Sequence, residues 1–200
     1  MTERGGKGAL LAARRTVEDC ARRCRAGDPE AFGEVYDRLA GDVQRFVVSL
    51  RLGLDPAAVE DVVQESFLRL HDRLGALDLE RPLRPYLLGV ARNAALDALR
   101  RREARERREA ARAPEDAHPA PDERAARAEH HALVRAALAA LRPELRAVLA
   151  LRHVSGLALS EVALALGCSR PTARARLREA ATALHHELRR RGLRAEELDE

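Results

Sequence analysis

Two arginines near the C-terminus lie four residues apart in a segment of helical periodicity. Arg174 and Arg178 therefore share one side of the predicted helix. The opposite side is an apolar stripe that consists of Ala173, Leu177, Ala180 and Leu184. An arginine guanidinium donates paired hydrogen bonds to guanine edges and to phosphates. A helix anchored on its apolar side, with arginines on the other side, suits binding in a DNA major groove.

A predicted helix-turn-helix over about residues 157–184 positions these arginines. The inward-facing residues of its first helix are Val162, Ala163 and Leu166. Gly167 follows, where a helix end favours a left-handed backbone. Ser169 is predicted to cap the second helix, and Pro171 falls in its first turn, where a missing N–H costs little.

An acidic stripe is predicted on a second helix, which Asp55 is expected to cap with Pro56 at the first helical position and which ends before Gly75. The buried face of this helix consists of Val59, Val63, Phe67, Leu70 and Leu74. Its outward face carries Asp61, Gln64, Glu65, Leu68 and Asp72. An apolar residue inside an acidic stripe indicates a surface for a protein partner. From the residues alone, a solvated face with one exposed leucine is the favoured alternative, because isolated surface leucines are common.

A third polar stripe is predicted on the helix from about Leu83 to Arg107. Its buried residues are Leu88, Ala91, Ala95 and Leu99, and its outward residues are Asn93, Asp97, Arg100 and Arg101, with Arg92 beside them. Arginine contacts phosphates and asparagine contacts bases or backbone, so this face suits DNA. A solvated charged face is the alternative.

The composition favours an all-α fold of two small helical domains joined by a flexible linker. The chain has 200 residues, 46% of them hydrophobic but only 2% aromatic, and its net charge is +4. Alanine and leucine must therefore fill the core, which favours close helix packing. A segment with three prolines separates the domains. We predict a disordered arm at 1–13, a first domain at 14–112, a linker at 113–123, a second domain at 124–190 and an acidic tail at 191–200.

The remaining reactive residues give no catalytic or metal site. Cys20 and Cys24 lie one helical turn apart, but no third ligand follows at a suitable spacing, and three cysteines give no disulfide framework. No phosphate-binding loop or nucleophile motif is present, so we expect neither enzymatic activity nor a cofactor. No apolar segment is long enough to cross a bilayer, and the N-terminus lacks a signal-peptide core. We therefore expect a cytoplasmic protein without membrane insertion.

Two sets of motifs resemble those of bacterial sigma factors. The segments DVVQESFLRL from Asp61 and PYLLGVARNAALDALRR from Pro85 resemble region two. The segment LRPELRAVLALRHVSGL from Leu141, with the helix-turn-helix, resembles region four. The resemblance spans about Gly27 to Leu188. Because no substantial domain separates the two regions, the chain resembles the extracytoplasmic-function (ECF) subgroup of the sigma-70 family.

The resemblance implies a role for each stripe. It implies that core RNA polymerase, through the clamp coiled coil of its largest subunit, contacts Asp61, Gln64, Glu65 and Leu68. It implies that the minus-ten promoter element is bound and opened by Tyr86, Arg92, Asn93, Asp97, Arg100 and Arg101. The loop Leu77–Pro82 matches a segment that captures an extruded base. The minus-thirty-five element would contact Ser169, Arg170, Thr172, Arg174, Arg176 and Arg178. The polymerase beta flap and an anti-sigma factor are further implied partners.

Four residues depart from the family pattern. Tyr86 stands where tryptophan is usual, Ala158 cannot cap the first helix of the helix-turn-helix, Pro171 replaces a common glycine, and Glu179 occupies a usually basic position. These changes affect which promoter sequence the protein is expected to bind, and not its expected class of function. The expected function is that of an ECF sigma factor, which gives core polymerase promoter specificity and promotes strand opening. The alternatives are a stand-alone helix-turn-helix regulator and a sigma-like decoy that only binds proteins.

Overall fold

The computed structural model describes residues 15–110 and 126–192, and these residues form eight α-helices. The helices are α1 (Val17–Arg25), α2 (Ala31–Ser49), α3 (Pro56–Arg73), α4 (Leu83–Ala110), α5 (Ala126–Ala140), α6 (Pro143–Leu149), α7 (Leu159–Ala165) and α8 (Arg170–Arg190). The predicted all-α class is confirmed. The predicted arm, the linker and all but the first two residues of the predicted tail lie outside the described residues.

Helices α1 to α4 form the first half of the fold, and local capping sets where two of them begin. At α3, the Asp55 carboxylate accepts a hydrogen bond from the Ala58 N–H at 2.7 Å, with Pro56 in the first turn, as predicted. At α1, Thr16 and Asp19 form a reciprocal capping box with N–H···O distances of 3.1 and 3.0 Å. A single turn of 3-10 helix, Leu74–Ala76, ends the α3 segment.

The start of α2 departs from its local sequence pattern. Asp28 and Pro29 have the residue types of an N-cap followed by proline at the first helical position, yet α2 begins at Ala31 and its cap residue has no side-chain hydrogen bond. The Asp28 carboxylate instead accepts a hydrogen bond from Arg23 Nε at 2.9 Å and another from the Glu30 N–H at 3.0 Å. Both contacts favour the charged carboxylate, so the pKa of Asp28 lies below its usual value.

Helices α5 to α8 form the second half. The helix that begins at Pro143 changes geometry after Leu149, where Ala150–Val154 continues as a wider π-helical turn. The helix-turn-helix is confirmed as α7 and α8. Gly167 adopts φ +60° between them, the left-handed geometry that the sequence predicted.

The two halves pack directly against each other. One apolar cluster extends from residues of α1 to α4 into Ala147, Leu151, Val162 and Ala173 of the second half. Helix α7 lies against α4, and the π-helical turn lies against α2. The described residues therefore hold the two groups of helices in a closed arrangement.

Candidate functional site

The acidic stripe of α3 is an exposed surface with a well-packed back. Asp61 and Gln64 are exposed, and Leu68 exposes 62% of its surface. Glu65 is half-buried and accepts a hydrogen bond from Arg69 Nε at 2.7 Å. All five residues predicted for the opposite face, Val59, Val63, Phe67, Leu70 and Leu74, are buried. The structure therefore brings the four predicted stripe residues together on one rigid face.

The polar stripe of α4 divides into an open end and a covered end. Asn93, Arg100 and Arg101 are exposed, and Arg100 Nη1 donates to the half-buried Asp97 at 2.8 Å. Of the four residues predicted to face the core, Leu88, Ala91 and Ala95 are buried, whereas Leu99 is half-buried.

Arg92 lies at the covered end of that stripe. Its Nη1 donates to the side-chain oxygen of Asn93 at 3.1 Å, but its buried Nε has no acceptor among the described residues. Burial lowers the pKa of Arg92, and the nearby positive charge of Arg176 lowers it further. A cleft of about 560 Å³ opens here between α4 and the end of α7, and Tyr86 and Arg92 form part of its lining.

The loop Leu77–Pro82 is held in place by α1. Arg22 Nη2 donates to the carbonyl of Leu79 at 3.1 Å, and the Glu18 carboxylate accepts from the Leu83 N–H at 3.0 Å. No sequence pattern indicated the bounds or the role of α1. Its side chains fix both the loop and the start of α4.

Helix α8 presents its arginines to solvent. Ser169 caps the helix by accepting from the Thr172 N–H at 3.3 Å, as predicted. The predicted contact residues Ser169, Arg170, Thr172, Arg174 and Arg178 are all exposed, whereas Arg176 is half-buried. Ala173 and Ala180 of the predicted stripe are buried, and Leu177 and Leu184 are half-buried. Glu179 forms an ion pair with Arg142, which offsets its negative charge.

Both halves of the chain match families of known proteins. Residues 35–105 match the sigma-70 region 2 family, and residues 131–184 match the sigma-70 region 4 family. The chain is 36% identical over 172 residues to the ECF RNA polymerase sigma factor SigL of Mycobacterium tuberculosis, a match that covers 84% of this chain and 94% of SigL.

Two solved structures share the fold. CnrH, in complex with the cytosolic domain of CnrY, superposes with a TM-score of 0.62 at 24% identity, covering 86% of this chain and 96% of CnrH. The sigma factor RpoE of Bartonella quintana, in complex with the anti-sigma factor NepR, gives a TM-score of 0.60 at 20% identity, covering 86% of this chain and 99% of RpoE.

The chain belongs to the ECF sigma factors of the sigma-70 family. In this sigma factor the acidic stripe and the α4 stripe both fall inside the region 2 match, and the predicted helix-turn-helix of residues 157–184 falls inside the region 4 match. None of the helices in the described part of this sigma factor is long and apolar enough to span a membrane.

Sequence reasoning missed the residues that join regions 2 and 4 of this sigma factor. Gly89 lies where α4 meets α7, Arg84 donates to the carbonyl of Ser155, and Arg146 donates to the carbonyl of Arg51. One signal was available for Gly89. Glycine in the interior of a helix costs about 1 kcal/mol relative to alanine, so it indicates a close approach of another segment.

Proposed function

We propose that the α3 stripe binds core RNA polymerase. The supporting observation is the exposed Leu68, which stands in an acidic surface whose back is fixed by packing. A basic partner would gain complementary charge from Asp61 and Glu65, and Leu68 would supply an apolar contact at the centre. The family implies the clamp coiled coil of the largest subunit as this partner, and it implies the beta flap as the partner of region 4.

We propose that α4 and the loop before it act on the minus-ten element. Arg100 and Arg101 are exposed for phosphate contacts, and Asn93 is exposed for a base or backbone contact. Tyr86 offers an aromatic ring for stacking where the family pattern usually has tryptophan, with a smaller area. Because α1 anchors the loop Leu77–Pro82, an extruded base would meet a fixed backbone there.

We propose that α8 reads the minus-thirty-five element in the major groove. Arg170 and Arg174 lie near its N-terminus, the end that usually reaches base edges, and Arg178 lies one turn further on. In this proposal the polymerase supplies the catalytic site and its magnesium, and the sigma factor supplies promoter specificity. An anti-sigma factor that binds regions 2 and 4 would control its availability.

The experiment is transcription in vitro with core polymerase and a promoter library, using wild type and the charge-reversed double variant Asp61→Arg, Glu65→Arg. Wild type should direct specific transcripts. The double variant should lose core binding and transcription while its circular dichroism stays unchanged, because the partly exposed Glu65–Arg69 pair contributes little to folding. Asp37→Arg changes an exposed acidic residue of α2 and serves as the matched control.

A stand-alone helix-turn-helix regulator makes the opposite prediction. Such a protein would bind its duplex site equally well with or without core polymerase, and charge reversal on α3 would leave its activity intact. If the protein binds its promoter only with core polymerase, and the double α3 substitution abolishes that binding, the stand-alone regulator is excluded. A decoy would bind core polymerase but give no transcript from any promoter in the library.

A further inference from the structure

A cavity of about 420 Å³ lies among the helices of the second half of the fold. Its walls come from α5, α6, the π-helical turn and α8, and Ser49 of α2 adds to the lining. The apolar part of the lining consists of Leu138, Leu149, Ala150, Val154, Leu184 and Leu188. Small-molecule sites usually have volumes of about 300–1,000 Å³ and a mostly apolar lining, so this cavity has the dimensions and the walls of such a site.

Arg146 is the buried polar side chain of this lining. Only 8% of its surface is exposed, and its Nη1 donates to the carbonyl of Arg51 at 2.7 Å. The other edge of the guanidinium carries Nε and Nη2, and neither atom has an acceptor among the described residues. Burial lowers the pKa of Arg146 and outweighs the opposite effect of Glu144. A buried cation with two unused donors favours an anion beside it.

The remaining polar groups of the lining add donors and no negative charge. His153 and His185 are exposed, and each imidazole can donate a hydrogen bond. The Ser49 hydroxyl already donates to the carbonyl of Phe46 at 2.6 Å. No aspartate or glutamate is among the described residues that line the cavity. An anionic group would therefore meet donors here without repulsion from a carboxylate of the lining.

The free edge of Arg146 and the apolar walls together define the chemistry of the ligand. Nε and Nη2 of a guanidinium form a planar fork that matches the two oxygens of a carboxylate. A free phosphate would use this end alone and would leave the apolar walls in contact with water. A carboxylate with a hydrocarbon chain uses both parts, because the chain would cover the leucines and Val154.

We propose that this cavity binds a small amphipathic carboxylate of the medium-chain fatty acid type, with its head group on Arg146 and its chain on the apolar walls. None of the lining residues is assigned to promoter DNA or to the α3 surface, so the site goes beyond the function proposed above. Arg146 holds the Arg51 carbonyl through Nη1 and the ligand through its other edge. Such a ligand stabilises the folded protein as its concentration rises above Kd.

Calorimetric titration of the full-length chain with hexanoate, octanoate and decanoate, each below its critical micelle concentration, tests the site. Each added methylene that reaches an apolar wall should lower Kd by about fourfold. Octanol has the chain of octanoate without the charge, and it should bind about tenfold more weakly or worse, because it cannot use the guanidinium fork. Equal affinities for the acid and the alcohol overturn the proposal, and so does the absence of binding by all three carboxylates.

Two pairs of variants locate the ligand. Ala181→Phe places a ring in the cavity from an exposed position of α8 and should abolish binding of octanoate, whereas Ala139→Phe, at an exposed position of α5 outside the lining, should leave Kd unchanged. Arg146→Met should remove the preference for octanoate over octanol, and Arg135→Met, at an exposed position of α5, is its control. Circular dichroism checks that each variant folds. If Arg146→Met unfolds, the phenylalanine pair decides, because octanoate binding that survives Ala181→Phe overturns the proposal.

Discussion

Replacing Leu68 by alanine should weaken core-polymerase binding without affecting the fold. Leu68 is 62% exposed in the free protein, and complete burial of a leucine side chain is worth about 1.5–3 kcal/mol. The exposed part therefore offers about 1–2 kcal/mol to a partner, which corresponds to about a 5- to 30-fold change in Kd. Stability should stay within about 0.5 kcal/mol of wild type, because the side chain packs little and alanine favours the helix.

Fluorescence anisotropy of labelled sigma factor titrated with core polymerase measures this change. Val48→Ala is the control, because Val48 is 58% exposed on α2 and lies outside the acidic stripe. If any loss of exposed apolar area lowered the affinity for core polymerase, both variants would bind core polymerase more weakly by a similar factor. Unchanged affinity for Leu68→Ala, or equal losses for both variants, would refute the assignment of the α3 surface.

Two further predictions concern DNA. The double variant Arg100→Ala, Arg101→Ala should reduce permanganate reactivity of the minus-ten region. Its binding to core polymerase should stay normal, because both side chains are exposed on α4 away from the α3 stripe. A normal open-complex yield from this variant contradicts the prediction. Arg174→Ala should relax selection at one minus-thirty-five base pair by about 1–3 kcal/mol, whereas Arg178→Ala should weaken all sequences alike. Selection of minus-thirty-five sequences by each holoenzyme separates these outcomes, and unaltered stringency with Arg174→Ala rules out this placement of α8.

Local signals in the sequence predicted local structure well. Asp55 and Ser169 cap their helices as expected, and Gly167 takes the left-handed turn. In each case the controlling atoms lie within three or four residues of one another. Asp28 has the same residue type and the same following proline as Asp55, but α2 begins two residues beyond that proline, at Ala31. The Asp28 carboxylate accepts from both the Glu30 N–H and Arg23 Nε. The contact with Arg23 comes from the preceding helix, which short-range patterns do not include.

The arrangement of the two halves had no local signal of this kind. Periodicity identifies which face of a helix is apolar, but it does not say which helix covers that face. The sequence placed Arg92 beside the outward stripe, and α7 covers part of it in the structure. The glycine at position 89 was the available clue, since it sits inside a helix where alanine would be more favourable. The structural reason for this glycine is its contact with α7, which lies about 75 residues further along the chain.

The missing cap of α7 allows a direct test of the local reasoning. Ala158 already has the extended backbone of a cap residue, with φ −64° and ψ 158°, and the Glu161 carboxylate accepts from its N–H at 2.8 Å. Half of a capping box is therefore present, and a hydroxyl at position 158 would complete it by accepting from the Glu161 N–H. Ala158→Ser should stabilise the protein by about 1 kcal/mol.

For a domain of this size, that gain corresponds to a rise in Tm of about 2–4 °C, measurable by circular dichroism. Ala158→Val is the control, because valine adds bulk at the same exposed position without an oxygen. It should leave the transition unchanged or lower it. A serine variant that unfolds at the wild-type temperature would mean that the Ala158 carbonyl, which accepts from the Glu161 N–H at 2.9 Å, already satisfies this donor. An equal rise with valine would mean that side-chain packing at position 158, and not the hydroxyl, controls the stability of this helix.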